Sequence, residues 1–418
     1  VEGGELDIRF STNIAEDELL IYGSLGTGTW LTQETKTRAS SSYMLNLTVL
    51  PNTDGVSRTA YIYFVKVTDM ESIVVEIVTI IQRGEVASES TDYSSDKKVR
   101  VLQTAKLGKG LPIVLMGDGF IDTEINDGTY DAVMDKAFEN LFTEEPIKSL
   151  RDYFNVYAVT AVSKHNIFGT GYETALGCEL AGGNSTGISG EDNAVQRYVQ
   201  CVDNIDMSET LAVVILNSPA YAGTTYFGYT NQTKVVEFAI AYCPVIYDLQ
   251  SESFRQVLVH EAVGHGFAKL EDEYAYQENG TISSKEIKNV QYLQTLGWAQ
   301  NVDFTSDPSQ VLWSAFLNDN RYVSEKLGVF EGACTYIKGA YRPSEESMMN
   351  SNTEGVNAPS RKAIYDKIME RSLGKQMSYE EFAVFDLQNK SQTRSAKPTV
   401  GPSKPFTRPH FVNRMLDK

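Results

Sequence analysis

The hydrophobic rhythm of the chain changes near residue 90. Before that point apolar and polar residues alternate with a period of two, as in Leu45-Asn46-Leu47-Thr48-Val49. β-Branched and aromatic runs follow at Thr59–Val65 and Ile73–Ile80, bounded by Pro51–Gly55 and by Thr68-Asp69. Short strands separated by turn signals predict an all-β sandwich over residues 1–87. Residues 88–98 are polar and lack large aliphatic side chains, so they read as a linker. From residue 99 to 418 strands and helices alternate. Leu111–Met116, Val156–Val162 and Leu211–Leu216 are compact apolar runs suited to buried strands. A helix with Val133, Met134, Ala137, Phe138 and Leu141 on one face lies between the first two, and another is expected from about Asn193 to Val202. This alternation predicts a mainly parallel sheet. Gly177–Gly190 and Gly223–Gly228 read as loops. Late helices are expected over about Arg361–Arg371 and after a capping box at Ser378 and Glu381. The end, from about Lys397, reads as an irregular tail. No internal repeat is visible.

One helical stretch, Ser251 to Leu270, carries chemistry. Its apolar positions are Phe254, Val257, Leu258, Val259, Ala262, Val263, Phe267 and Leu270. It also holds His260, Glu261 and His265, two of only four histidines in 418 residues, and Glu271, Asp272, Glu273 and Tyr274 follow at once. Two imidazoles, a third protein ligand and an open position for water make a catalytic zinc site. A glutamate beside them can take the proton of a metal-activated water. The usual zinc-peptidase signature spaces its histidines at i and i+4. Here the second is at i+5, which on a regular helix is about 140° away from the first. One residue absorbed as a π-type turn at Ala262–Gly264 would restore a common face, with Gly264 easing the distortion. A buried helix with merely hydrogen-bonded histidines is the blander alternative, and it leaves the following acids unexplained. The third ligand stays open among Asp272, Glu271 and Glu273. Metzincin-type spacing, six residues after the second histidine, points to Glu271. Ser347-Met348-Met349-Asn350 could form the methionine turn that underlies such sites. Tyr274, Tyr341 or Arg342 could stabilise an oxyanion. His165 and His410 are lone and distant, and are read as structural.

These residues carry a resemblance. The stretch from Leu258 to Tyr274 resembles the signature of the IgA peptidase family of zinc metallopeptidases, H-E-x-G-H-S-x-x-x-L-x-D-E-Y, with one residue inserted before Gly264. Val114–Phe120, Phe154–Val159, Val213–Gly223 with Asn217, and Tyr341-Arg342-Pro343 also resemble the family, so the likeness covers roughly 100–390. It implies zinc as cofactor, His260, His265 and Asp272 as its ligands and Glu261 as general base; Tyr341 is a catalytic candidate from its position alone. It implies a secreted or cell-surface endopeptidase acting on protein or glycoprotein substrates, located extracellularly, on the surface or in the periplasm. Trp30-Leu31, the strand start at Arg58 and Ile80–Gly84 resemble a BACON domain, an immunoglobulin-like module found ahead of many gut-bacterial surface enzymes. A spacer is the expected role. The fold class is thus multidomain: an N-terminal immunoglobulin-like sandwich, then an α/β (α+β) metzincin-like zinc peptidase domain over 99–418.

Composition narrows this further. A net charge of −18 and a pI near 4.8 argue against a nucleic-acid partner, which needs a basic face. No apolar run is long enough to span a bilayer. The chain opens on Val1, so a processed form is expected and any leader cannot be read from it. Cys178, Cys201, Cys243 and Cys334 show no C-x-x-C metal spacing and are expected to be free thiols. Oligomeric state is not legible. A catalytically silent relative, binding protein or glycan through its N-terminal module, is the competing expectation. The inserted residue favours it, and the intact Glu261 speaks against it.

Overall fold

In the computed structural model the described residues are 4–416, except 13, 25–30, 40–41, 51–57, 69–71, 83–87, 170, 181–186, 247, 277–278, 353–354 and 391–407. The chain divides into two compact units, Val1–Ser88 and Glu89–Lys418. In the first, β1 (Gly4–Ser11), β4 (Ser42–Val49) and β3 (Leu31–Ala39) form one antiparallel sheet in that order. β2 (Leu19–Ser24), β5 (Arg58–Val67) and β6 (Ser72–Gln82) form a second. The period-two pattern explains how they meet. Leu45 and Leu47 of β4 share one core with Ala60, Ile62 and Phe64 of β5 and Ile80 of β6. The Phe10 ring crosses from one sheet to the other, 4.7 Å from Phe64. Ile73, Val74 and Val75, at the start of β6, are exposed. Trp30 and the turn at Pro51–Gly55 lie outside the described residues.

The second unit is built on a seven-stranded mixed sheet, ordered β19-β13-β16-β12-β8-β9-β7. Its first strands are β7 (Val99–Gln103), β8 (Leu111–Asp118) and β9 (Phe154–Val159), with short helix α1 (Asp122–Asn126) and α2 (Thr129–Leu141) between the last two. A short hairpin, β10 (Glu179–Leu180) and β11 (Ile188–Ser189), and α3 (Asp192–Val199) lead to β12 (Leu211–Leu216). Then come β13 (Thr224–Phe227), a second hairpin of β14 (Thr230–Asn231) and β15 (Lys234–Val235), and β16 (Ala239–Pro244). β8, β9, β12 and β16 are parallel, and β7 and β13 flank them antiparallel. β12 and β16 are buried at every position because both faces of the sheet are covered. Leu111, Ile113 and Leu115 join the core with α2 and the histidine helix, while Val114 and Met116 join the core with α3. After the histidine helix follow α5 (Ser284–Thr295), α6 (Ser314–Leu317), the hairpin β17 (Phe330–Ala333) and β18 (Tyr336–Arg342), α7 (Ala358–Leu373) and α8 (Tyr379–Asn389). α8 opens with the expected capping box at Ser378 and Glu381. All four cysteines are free thiols.

Two polar segments behave differently from expectation. Residues 89–98 pack on the second unit instead of linking freely. The Ser90 amide donates to Lys164 O at 2.8 Å, and the Thr91 and Asp92 amides donate to Asp122 Oδ2 at 2.9 and 2.8 Å. Asp96 Oδ1 accepts from Tyr198 Oη at 2.8 Å. Their serine and aspartate oxygens meet backbone amides and hydroxyls, so polarity here marks hydrogen bonding rather than solvation. The tail also has order: β19 (His410–Phe411) pairs with β13. A chain beginning at Glu89 should therefore fold alone. One beginning at Lys97 loses several hydrogen bonds and should unfold at lower urea. At about 1 kcal/mol each the expected loss is roughly 2–4 kcal/mol, and equal midpoints for the two chains would show these contacts to be idle.

Candidate metal centre

The histidine helix starts in ordinary form. Ser251 caps α4 (Glu252–Leu258), its hydroxyl accepting the Phe254 amide at 3.2 Å. The chain then continues without a break as a π-helix over Val259–Phe267. Hydrogen bonding from i to i+5 brings residues five apart onto one face. His260 and His265 thereby meet, ring centroids 4.6 Å apart and nearly perpendicular. The distortion spans nine residues, more than the single turn expected at Ala262–Gly264. All nine are buried. Gly264 has a further reason to be glycine: a Cβ there would collide with Met349 Sδ. Met349 belongs to the expected methionine turn. Met348 O lies 2.8 Å from His260 Nδ1, and Met349 O accepts the Glu273 amide at 2.7 Å.

The helix ends at Phe267; at Lys269, whose φ of 56° is left-handed, the chain turns and folds back through Glu271–Glu273. That reversal aims Asp272 at both imidazoles. Its Oδ1 is 3.2 Å from His260 Nε2 and 3.1 Å from His265 Nε2. Ligands about 2.0–2.1 Å from a tetrahedral zinc ion lie about 3.3 Å from one another, so the spacing suits that ion. The ring orientation suits it too. His260 Nδ1 faces Met348 O, and His265 Nδ1 faces Leu270 O at 2.7 Å. A carbonyl only accepts, so each Nδ1 carries a proton, and Nε2 is the nitrogen left to face Asp272 or a metal. Without a metal the charged His265 donates from Nε2 to Asp272 Oδ1, and a cation bound at this point would take the place of that proton. Asp272 Oδ2 and Glu261 Oε1 are also buried without a hydrogen-bond partner among the described residues, as expected of atoms that face a metal and its water.

The electrostatics without metal show the same demand. Burial opposes charge on His265, yet the adjoining Asp272 carboxylate raises its pKa to about 9. Burial likewise opposes charge on Asp272, but His265 and His260 hold it well below the usual carboxylate range. Glu261 is raised by burial, with the two histidines and Thr225 opposing. Thr225 Oγ1 donates to Glu261 Oε2 at 2.7 Å, and Gly223 lets its loop lie against the same carboxylate. Residues 223–228 were expected to form a loop, but Thr224–Phe227 is strand β13, and Thr225 carried no signal as a site residue in the sequence.

The other candidates are held elsewhere. Glu271 turns away to Arg408, 2.9 Å distant. Glu273 sits in a cage of Asn301, Ser347, Asn357 and Ser360, and burial raises its pKa. Arg342 is anchored to the carbonyls of Ser344, Glu331 and Gly332. Tyr341 pairs through its backbone with Asp303, and among the described residues no side-chain hydrogen bond or ring contact joins it to the cluster. The phenol beside the cluster is Tyr274, whose ring lies nearly parallel to His260 at 6.4 Å. Burial, then the charge of Asp272, lifts that phenol well above its ordinary range. His165 accepts the Glu173 amide at 2.9 Å, and His410 stacks on Tyr226, so neither joins the cluster.

Comparison with known families gives two matches. The profile of the IgA Peptidase M64 family matches residues 99–324, more than half of the chain and including the whole cluster. The BACON profile, an N-terminal module, matches residues 20–83. No curated protein matches the chain.

Proposed function

Because the chain belongs to the IgA peptidase M64 family, we propose that it is a zinc-dependent endopeptidase of protein substrates, with His260, His265 and Asp272 as the metal ligands. The observation that carries this reading is the convergence of those three buried side chains on one point, with an unpartnered Glu261 oxygen beside it. Zinc held there would supply Lewis acidity toward a carbonyl and make water nucleophilic near neutral pH. Glu261 takes a proton on Oε1 while Thr225 fixes Oε2, and it returns that proton to the leaving amine. Its raised pKa brings donor and acceptor forms closer to neutral pH, as acid–base work needs. The backbone carbonyls of Met348 and Leu270 keep both imidazoles in the ligating tautomer. The inserted residue gives no support to a silent relative, since the π-helix absorbs it.

The Glu89–Lys418 unit holds the whole site, and the N-terminal module is assigned a spacer role. A BACON domain is typical of extracellular or surface proteins, and among the described residues no helix is long and apolar enough to cross a membrane. The module supports an extracellular or surface setting as part of this reading. Digestion of casein by the zinc-loaded protein, abolished by a chelator and restored by zinc, tests the activity. No digestion by a protein shown to contain zinc would refute it.

The electrostatics give a second test. With His265 charged up to about pH 9 in the metal-free form, zinc uptake at pH 7–8 should displace about one proton. Affinity should rise with pH until about 9. For the metal-free protein the folded pKa of about 9 exceeds the unfolded value of about 6.5. This contribution to stability is therefore full below about pH 6.5 and is lost as pH rises toward 9. Calorimetric titration in buffers of differing ionisation enthalpy counts the proton. Zero protons released would show that His265 is neutral before zinc arrives.

A further inference from the structure

The described C-terminal residues, 408–416, lie beyond the family match, yet they are fastened to the sheet along their length. His410 and Phe411 pair with Tyr226 and Phe227 of β13. The Val412 amide donates to Phe227 O at 2.9 Å, the Thr230 amide to Arg414 O at 2.7 Å, and the Leu416 amide to Thr230 O at 2.9 Å. The Phe411 ring occupies the space where Gly228 lacks a side chain, and Arg414 pairs with Asp192 at 2.7 Å. The first residue of this strap, Arg408, reaches into the protein. Its Nη2 is 2.9 Å from Glu271 Oε2, and its Nη1 is 2.7 Å from Glu286 Oε1 on α5.

Glu271 is only 3 % exposed and precedes Asp272 directly. Asn301 grips its backbone from both sides, accepting the Glu271 amide at 2.9 Å and donating to Glu271 O at 2.8 Å. Arg408 is the cation paired with Glu271 among the described residues. Without Arg408 the Glu271 carboxylate loses the ion pair that fixes it beside Glu286 of α5 and is free to turn toward water. That movement acts one peptide bond from Asp272, whose Oδ1 has to stay within about 2.0–2.2 Å of a zinc ion.

We propose that Arg408 is a positioning residue of the metal centre: by clamping Glu271 against α5 it holds the turn that presents Asp272, so the C-terminal strap helps set zinc affinity. This rests on the zinc reading above. The test is zinc affinity by competition with a chelator of known strength, together with melting of the zinc-loaded and zinc-stripped forms, for the full chain. Arg408→Met should weaken zinc about 10–100-fold, the range seen when support of a metal ligand is removed. Adding Glu271→Gln removes the stranded charge and should recover affinity to within about threefold of wild type. A variant that only loosens the fold would lower both melting temperatures equally. The proposal instead requires the gap between the two forms to shrink in Arg408→Met and to reopen in the double variant. Unchanged zinc affinity in Arg408→Met overturns it, as does a double variant no better than the single one. Should Arg408→Met not fold, Arg408→Lys, which keeps charge but cannot span Glu271 and Glu286, should still bind zinc several-fold more weakly. Wild-type affinity there overturns the proposal. A wild-type chain that binds no zinc defeats the reading of the site, and the proposal with it; zinc binding insensitive to Arg408 defeats the proposal alone.

Discussion

Replacing Glu261 by Gln should cut kcat/KM by roughly 10²–10⁴, the usual contribution of a general base, while zinc stays bound. The substitution keeps size and shape. Thr225 can still donate to the amide oxygen at the position of Oε2, where it now reaches the carboxylate at 2.7 Å. What disappears is the ability to accept and return a proton at Oε1. Glu261 lies outside the triad of His260, His265 and Asp272, so metal content should match wild type. Turnover of a quenched-fluorescent peptide, read beside zinc content on the same sample, separates the two effects. Activity within about threefold of wild type would remove Glu261 from the chemistry. Loss of zinc together with activity would recast it as a support of the metal site.

His265→Ala should abolish zinc binding at micromolar metal, and activity with it. The imidazole is buried, its Nδ1 is fixed by Leu270 O, and its Nε2 faces Asp272. No other histidine lies within reach to replace it. Zinc at a thousandfold excess over its dissociation constant stabilises a fold by about 4 kcal/mol. Wild-type protein should therefore melt well below its zinc-loaded temperature once a chelator is added, whereas His265→Ala should melt alike with and without chelator. His165→Ala and His410→Ala should behave as wild type. A chelator response preserved in His265→Ala would place the metal elsewhere.

The irregular spacing of His260 and His265 was itself the strongest structural signal, since two imidazoles five apart can share an ion only if the helix departs from α geometry. Its extent was not legible. The apolar positions Val259, Ala262, Val263 and Phe267 keep an ordinary helical spacing that hides a π-helix, and Gly264 owes its lack of a side chain to Met349, 85 residues later in the chain. The ordering of Asp272, Glu271 and Glu273 could not be settled by spacing either, because the left-handed turn at Lys269 ends helical counting. Distant partners decide it: Arg408 draws Glu271 away, Asn301 and Asn357 cage Glu273, and Asp272 is left facing the histidines. The parallel strands were plain because they are buried on both faces. Residues 89–98 and 408–416 were misread for one reason. Polar composition does not distinguish side chains that meet solvent from those that meet backbone amides and buried acids, as Ser90 and Arg408 do.

X-ray absorption at the zinc edge, on protein loaded with one equivalent of zinc and dialysed, tests the central claim most directly. The account predicts one zinc per chain, with two imidazole nitrogens at about 2.0–2.1 Å and oxygens at about 2.0–2.2 Å, and no sulfur. Zinc lost on dialysis, or a sulfur shell near 2.3 Å pointing to the free cysteines instead, would contradict it.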